Sequence, residues 1–169
     1  MDRCGAVWVI NPTAIAMSSN ETIEPVYYQS RYMHGLDDKR RVPIPAKWRA
    51  PLAETSLTLI LWPHGEIGPC LLALTPDIWR ELVGKLKAMP FGDPKAEALR
   101  RILGGDSDGV KLDGSGRICL SETMAKAAGI EKQALFLGLV DRFQIWSPER
   151  YEKVAPLDAK MAPEAFKLI

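Results

Sequence analysis

The fold of this chain is decided by Gly35-Leu36-Asp37-Asp38-Lys39-Arg40-Arg41-Val42-Pro43-Ile44-Pro45, which returns in weaker form as Val110-Lys111-Leu112-Asp113-Gly114-Ser115-Gly116-Arg117-Ile118-Cys119-Leu120-Ser121. In both stretches a Leu-Asp pair is followed by a tight loop, by an Arg four residues after the Asp and then by a short apolar strand. The two Asp residues lie 76 positions apart (113 − 37), and so do the two Arg residues (117 − 41). The same pattern at the same spacing indicates an internal duplication.

The composition constrains the size of the core, the partners and the cellular setting of the chain. With 169 residues, 47% of them hydrophobic, the chain can bury a core as one compact body or as two small modules. The formal net charge is +1, so any basic surface has to be local. Three cysteines without metal-ligand spacing favour a reducing, cytoplasmic setting without a disulfide framework. We expect no metal and no cofactor.

The first 27 residues lack a sustained period, and we expect them to be a flexible N-terminal extension. The apolar run Ala6-Val7-Trp8-Val9-Ile10 faintly resembles the core of a signal peptide, but Asn11-Pro12 interrupts it. No apolar run approaches the roughly 18 residues that a bilayer crossing needs. We therefore predict neither secretion nor a membrane anchor.

Each half of the chain is predicted to contain a hairpin around its Asp loop, a short helix, a second hairpin and a longer helix. Thr75-Pro76-Asp77 and Ser147-Pro148-Glu149 are typical helix starts, with a hydroxyl residue as the N-cap and Pro at the first helical position. In the first half we predict the helices 46 to about 53, 76–89 and 94 to about 103. In the second half we predict a helix from Ser121 to Ala128, and a last one from Pro148 to Lys153 that precedes a short tail.

One string suggests an enzyme. Gly105-Asp106-Ser107-Asp108-Gly109 matches the Gly-x-Ser-x-Gly nucleophile elbow. An elbow follows a strand, opens a helix and needs a later His, whereas here a helix is predicted before the string, a strand after it, and both His residues lie upstream. We predict a polar linker at this position and no enzyme.

The complete pattern, two copies of hairpin, short helix, hairpin and helix with Asp-x-x-x-Arg in each first turn, resembles the MraZ family. Members of this family are AbrB-like, swapped-hairpin transcription regulators of bacterial division and cell-wall gene clusters. The resemblance covers Tyr28 to about Lys153. Its most specific pieces are Leu36-Asp37-Asp38-Lys39, Arg41, Pro45-Ala46-Lys47, Leu112-Asp113-Gly114-Ser115-Gly116-Arg117, Ala128-Gly129-Ile130-Glu131-Lys132 and Arg142-Phe143-Gln144-Ile145-Trp146.

The resemblance implies an α+β fold of two tandem AbrB-like swapped-hairpin β-barrel modules with packed helices. The expected organisation is an extension at 1–27, module 1 at 28–89, a linker helix at 90–105, module 2 at 106–155 and a C-terminal tail at 156–169. The implied function is sequence-specific binding of short direct repeats in double-stranded promoter DNA by a ring-like homo-oligomer. Such a regulator would act on its own division and cell-wall operon, in the cytoplasm on the nucleoid, without a membrane or a small-molecule substrate.

Basic residues are concentrated in the first copy. Between positions 31 and 49 six basic residues stand against two acidic ones, a local charge of +4 (6 − 2). Lys and Arg neutralise phosphates, and Arg can also fork onto guanine. We expect Arg41 to make the most specific contact, and the full candidate DNA-binding set is Arg41, Lys39, Arg40, Arg117, Lys47 and Arg31.

Asp37, Asp113 and Gly116 are expected to shape the turns, with each Asp capping the turn backbone or orienting its Arg. Arg40 stands where the family usually has Gly, whereas the second copy keeps Gly116. Because that Gly allows a positive φ, we expect the first loop to be shaped differently. Two alternatives to specific DNA readout stay open: an AbrB-like antitoxin, and an oligomeric interaction module without specific readout.

Overall fold

The computed structural model describes residues 26–169. The expectation for residues 1–27 therefore lies, except for its last two positions, outside the described residues. Within the described part the elements are β1 (Arg31–Gly35), β2 (Arg41–Pro43), α1 (Ala46–Leu52), β3 (Leu57–Trp62), β4 (Cys70–Leu74), α2 (Pro76–Ala88), α3 (Pro94–Gly105), β5 (Ser107–Val110), β6 (Arg117–Cys119), α4 (Glu122–Ala128), β7 (Gln133–Gly138), β8 (Phe143–Trp146) and α5 (Pro148–Ala165). Short 3-10 turns occupy Gly65–Ile67 and Phe166–Leu168.

Helix starts follow the local sequence signals. The Ser121 side chain accepts a hydrogen bond from the Met124 amide at the start of α4, and Gly129 ends that helix in a left-handed conformation (φ 68°). Helices α2 and α5 begin at proline as predicted. Thr75 and Ser147 stand at the N-cap positions as predicted, but their hydroxyls make no capping hydrogen bond.

Among residues 26–169, all strand pairs are antiparallel and form two sheets. Six strands make a sheet in the order β1-β7-β8-β4-β3-β5, and β2 and β6 make a separate two-stranded ribbon. The predicted hairpins β3–β4 and β7–β8 are confirmed. The predicted first hairpin of each half is wrong, because β1 pairs with β7, β2 with β6 and β5 with β3. Antiparallel strands packed with helices confirm the class α+β.

The duplication is visible in the strand register. In the ribbon Arg41 pairs with Cys119 and Pro43 with Arg117, so exchanging the two halves reproduces the same pairs. The central pair of the large sheet behaves in the same way, since Leu71 pairs with Ile145 and Ala73 with Phe143. The two halves of the chain therefore share one sheet and one ribbon about an approximate two-fold axis.

Two boundaries differ from prediction. The string from Gly105 to Gly109 is not a linker: α3 runs through Gly105, and Ser107 already belongs to a strand that pairs with β3. The last helix extends twelve residues beyond Lys153, to Ala165, with Pro156 and Pro163 inside it. Alanine, lysine and methionine after Pro156 are good helix formers, and here they outweigh the proline stop signal.

The large sheet is covered on both faces. One face packs on the ribbon, α1 and α4 around Trp48, Phe136 and Phe143, all of them buried. The other face packs against α5 near Trp146 at one end and against α2 and α3 near Leu74 at the other. Within residues 26–169, no helix is both long enough and apolar enough to cross a bilayer.

Candidate nucleic-acid interface

The ribbon turns one side outward. Val42 and Ile118, at the centres of β2 and β6, are fully buried against the large sheet. Because side chains alternate along a strand, the neighbouring Arg41 and Arg117 point away from the core. The ribbon thus presents one Arg from each copy on the same outward surface.

Asp37 organises the first turn through both of its carboxylate oxygens. Its Oδ1 accepts the amides of Lys39 and Arg41, each at 2.9 Å. Its Oδ2 accepts the Nε of Arg41 at 2.7 Å, and the Arg40 amide donates to the Asp37 carbonyl at 2.9 Å. The carboxylate therefore fixes the turn and the direction of the guanidinium together, which leaves the terminal nitrogens of Arg41 to face outward.

The second turn repeats this arrangement. Asp113 Oδ1 accepts the amides of Ser115 at 2.9 Å and Arg117 at 3.0 Å, and its Oδ2 accepts the Arg117 Nε at 2.9 Å. The side chains of Arg41, Asp37, Arg117 and Asp113 are each about one third exposed. Two equivalent Asp-oriented arginines result from the duplication.

Hydrogen bonding stabilises the ionised form of both aspartates. The Arg41 amide, and then its side chain and the Lys39 amide, hold the pKa of Asp37 below its ordinary value. The Arg117 amide, and then its side chain and the Ser115 amide, lower the pKa of Asp113 in the same way. At neutral pH both turns therefore keep a charged partner for their arginines.

Arg40 does not change the shape of the first loop, so the expectation of a different loop is wrong. Its φ is +57°, close to the +74° of Gly116 in the second loop. The side chain is engaged as well, since Arg40 Nε donates to the Leu120 carbonyl at 3.2 Å. Arg40 therefore adopts the glycine conformation and adds a contact between the copies.

Arg49, on α1, is a neighbour of the second turn that sequence reasoning counted only as charge. Its Nε donates to the Ile44 carbonyl at 2.7 Å, and its side chain lies against Gly116, where an added Cβ would come within 2.6 Å of the Arg49 Cδ. Positions 49 and 116 are far apart in sequence, so no local pattern could have paired them. The second turn is therefore more basic than Arg117 and Lys111 alone suggest.

The structure brings together most of the candidate residues. Arg117 Nη1 lies 3.8 Å from Asp37 Oδ2, which joins the two turns into one surface. Lys39 is exposed in the first turn, and Lys47 is exposed on α1. Arg31 does not lie with them: its guanidinium is 5.2 Å from the ring centre of Tyr151 on α5, across the large sheet.

A family model and several named relatives of this chain agree on one protein family. Residues 104–165 match the family model described as "MraZ protein, putative antitoxin-like". A protein of Hydrogenovibrio crunogenus named transcriptional regulator MraZ is 34% identical over 121 residues, which is 72% of this chain and 80% of the relative. Proteins of the same name from Herpetosiphon aurantiacus and Methylobacillus flagellatus are 36% and 35% identical over 136 residues, covering 92% and 88% of those relatives. On this identity and coverage, the chain belongs to the MraZ family.

Proposed function

We propose that this chain is a transcriptional regulator that binds double-stranded promoter DNA through the β2–β6 ribbon. The observation that carries the proposal is the pair of outward arginines, Arg41 and Arg117, each held by an aspartate of its own turn. Several relatives are named transcriptional regulators, which supports the same conclusion. Such a protein would work on the nucleoid.

The major groove of B-DNA is wide enough for a two-stranded ribbon. Arg41 reads the base edges, because a guanidinium whose Nε is bound to Asp37 still has its terminal nitrogens for guanine O6 and N7. Lys39, Arg40 and Lys47 contact phosphates, and Arg117 supports Arg41 from the second turn. Each bidentate arginine–guanine contact contributes about 1–3 kcal/mol of discrimination.

A single ribbon carries few positive charges, and the two aspartates offset part of them. Useful affinity therefore requires several ribbons on one scaffold facing repeated sites. We propose that the protein forms a ring-like homo-oligomer of AbrB-like modules and binds short direct repeats upstream of its own division and cell-wall operon. Apolar side chains exposed along α5, including Leu157 and Met161, support such an assembly.

The test is a titration of the DNA upstream of the protein's own gene at several salt concentrations. The chain is compared with Arg41→Ala and with Arg80→Ala. Arg80 is a matched control because it also pairs with an aspartate, Asp77, but on the exposed side of α2. We expect Arg41→Ala to lose roughly tenfold or more in affinity for that sequence, and Arg80→Ala to bind like the unaltered chain.

Two results would reject the proposal. One is equal affinity of the unaltered chain and Arg41→Ala at every salt concentration. The other is no binding of the unaltered chain at low salt, where phosphate contacts are strongest.

A second candidate is an antitoxin-like binding module, which the description of the matching family model favours. This function would use apolar contacts to a partner protein rather than the ribbon. Retention of full activity in the cell by Arg41→Ala would support it over DNA readout.

A further inference from the structure

The surface between α2 and the β7–β8 turn holds an open groove. Its volume is about 350 Å³, and its lining combines apolar side chains, among them Leu74, Leu82 and Leu139, with the charged side chains of Glu81, Lys85, Asp141 and Arg142. Trp62, at the groove wall, is 40% exposed although it is one of the largest apolar side chains of the chain. A lining of this mixed kind fits an occupant that places a large apolar side chain, such as that of tryptophan, on the apolar part.

The approximate two-fold symmetry relates the groove to a surface on the other half of the chain that is covered by a loop. On the other half, the equivalent surface beside α5 is covered by the β3–β4 connection, whose Ile67 packs with Tyr151 and whose His64 ring lies 4.6 Å from that of Trp146. The β7–β8 connection is shorter, a tight turn closed by the Leu139 amide on the Arg142 carbonyl at 2.8 Å. It offers no segment to cover the surface beside α2.

The chain enters the described structure next to this open surface. Tyr28 is buried and exchanges two backbone hydrogen bonds with Val140, at 2.7 and 3.0 Å, in the same turn that lines the groove. Before Tyr28, both Val26 and Tyr27 are exposed, as is Val140 itself. The described part of the chain therefore begins beside the groove.

The 25 residues before Val26 contain one apolar pentad, Ala6-Val7-Trp8-Val9-Ile10. Ile10 and Val26 are 16 positions apart, so the connection reaches roughly 50 Å when extended, far more than the groove requires. A tether of this length gives an effective concentration on the order of millimolar, so a contact with a Kd of roughly 0.1 mM would be mostly formed.

We propose that the Ala6–Ile10 segment of the same chain is the occupant of this groove, with Trp8 packed beside Trp62. The segment covers the sheet surface beside α2, as the β3–β4 connection covers the surface beside α5. It gives the N-terminal extension a role that neither the duplicated modules nor the DNA-binding ribbon assigns to it.

Thiol labelling in the full-length chain tests the contact. The probe is Leu82→Cys in a chain that also carries Cys4→Ser, and the reagent is a small maleimide. Cys119 is exposed and serves as an internal reference, whereas burial raises the pKa of Cys70 to about 12 and keeps it unreactive. We expect Trp8→Glu to raise the labelling rate at position 82 about fivefold or more, with the rate at Cys119 unchanged.

Ile15→Glu is the matched control, because it places the same charge in the same N-terminal region outside the pentad. It should leave the labelling rate at position 82 unaltered. An unchanged rate in Trp8→Glu, or an equal rise in both variants, would overturn the proposal.

A disulfide experiment distinguishes the chain's own segment from that of a second copy. Val9→Cys and Leu82→Cys are combined in a chain in which Cys4 and Cys119 are replaced by Ser, and the protein is oxidised and run on a non-reducing gel. We expect a cross-linked monomer of altered mobility. A disulfide-linked dimer would assign the groove to the segment of another copy, and a lack of cross-linking would reject the contact; either result contradicts the proposal.

Discussion

At the scale of single residues, Arg40 combines a backbone cost with a side-chain gain. Its left-handed φ of +57° costs a residue with a Cβ about 1 kcal/mol relative to glycine. Its Nε in turn satisfies the Leu120 carbonyl. The equivalent carbonyl on the other side of the ribbon, that of Ile44, is satisfied by Arg49 instead.

We predict that Arg40→Gly is more stable than Arg40→Ala by about 1 kcal/mol. Both changes remove the hydrogen bond to Leu120, but only glycine relieves the left-handed backbone. Denaturant unfolding of the two variants measures the difference. If Arg40→Ala proves as stable as Arg40→Gly, the loop is not strained at this position.

The lowered pKa of Asp37 gives the turn a pH dependence with a definite sign. The fold stabilises the ionised carboxylate, so this contribution is fully present above the ordinary carboxyl pKa of about 4 and is lost as the pH falls through the lower folded value. We predict that Asp37→Asn is less stable than the unaltered chain at pH 7, and that the two converge as the pH falls below about 4.

Melting temperatures across this pH range are the measurement for Asp37→Asn. Asp38→Asn, an exposed position in the same turn, removes the same charge and is the control. A constant difference between Asp37→Asn and the unaltered chain from pH 7 to pH 3 would contradict the assignment of the turn's stability to the ionised carboxylate.

At the scale of elements, the short helices α1 and α4 differ in the side chain that each places beside the neighbouring Asp turn. Arg49 of α1 lies across Gly116, where there is no Cβ to meet it. The repeat spacing of 76 relates Arg49 to Ala125 of α4 and Gly116 to Arg40, so by the approximate two-fold symmetry Ala125 occupies the position beside the Arg40 turn that Arg49 has beside Gly116. If the helix places an arginine beside the turn, the turn residue must therefore be glycine, and if the turn residue has a Cβ, the helix position must carry a small side chain.

This exclusion predicts a strong coupling between positions 40 and 125. Ala125→Arg alone should be destabilising by about 3 kcal/mol, because the new side chain meets Arg40 in a buried site. Ala125→Arg combined with Arg40→Gly should recover about 1 kcal/mol or more of that loss, since it recreates the arrangement of Arg49 and Gly116. A double-mutant cycle by urea unfolding tests this, and additive effects would refute it.

Local sequence signals identified most of the strands but not all of their partners. The β3–β4 and β7–β8 hairpins were predictable because their connections are short and their strands are apolar runs. The Asp37 and Asp113 turns look equally suited to hairpins, yet β2 pairs with β6 of the other copy. Two copies of one pattern offer the same pairing partners twice, so local sequence cannot decide between pairing within a copy and pairing across copies.

In the candidate site, too, contacts between residues close in sequence were predictable and contacts between distant residues were not. The bonds from Asp37 to Arg41 and from Asp113 to Arg117 depend on residues four apart, and sequence alone suggested them. That Arg49 reaches Gly116, and that Arg31 lies over Tyr151 on the opposite side of the sheet, depends on tertiary packing. Contacts between distant positions have no signal in a single sequence.

At the scale of the whole molecule, the proposed function depends on the number of ribbons that face DNA together. If Leu157 and Met161 hold subunits in an oligomer, their replacement by Glu should separate the subunits without altering the ribbon, which lies on the other side of the large sheet. Light scattering should then report a smaller particle for Leu157→Glu with Met161→Glu. Ala159→Glu, exposed on the same helix, is the control for added charge.

Affinity should follow the number of repeats only when the subunits are joined. We predict that the unaltered chain binds a promoter fragment with several repeats about a hundredfold more tightly than a fragment with one repeat, because each further ribbon binds within the same complex. The Leu157→Glu, Met161→Glu chain should bind both fragments with the weak affinity of a single ribbon, whereas Arg41→Ala should weaken every contact and keep the particle size. A dissociated variant that still prefers the repeated fragment a hundredfold would show that neighbouring ribbons need no protein contact to cooperate.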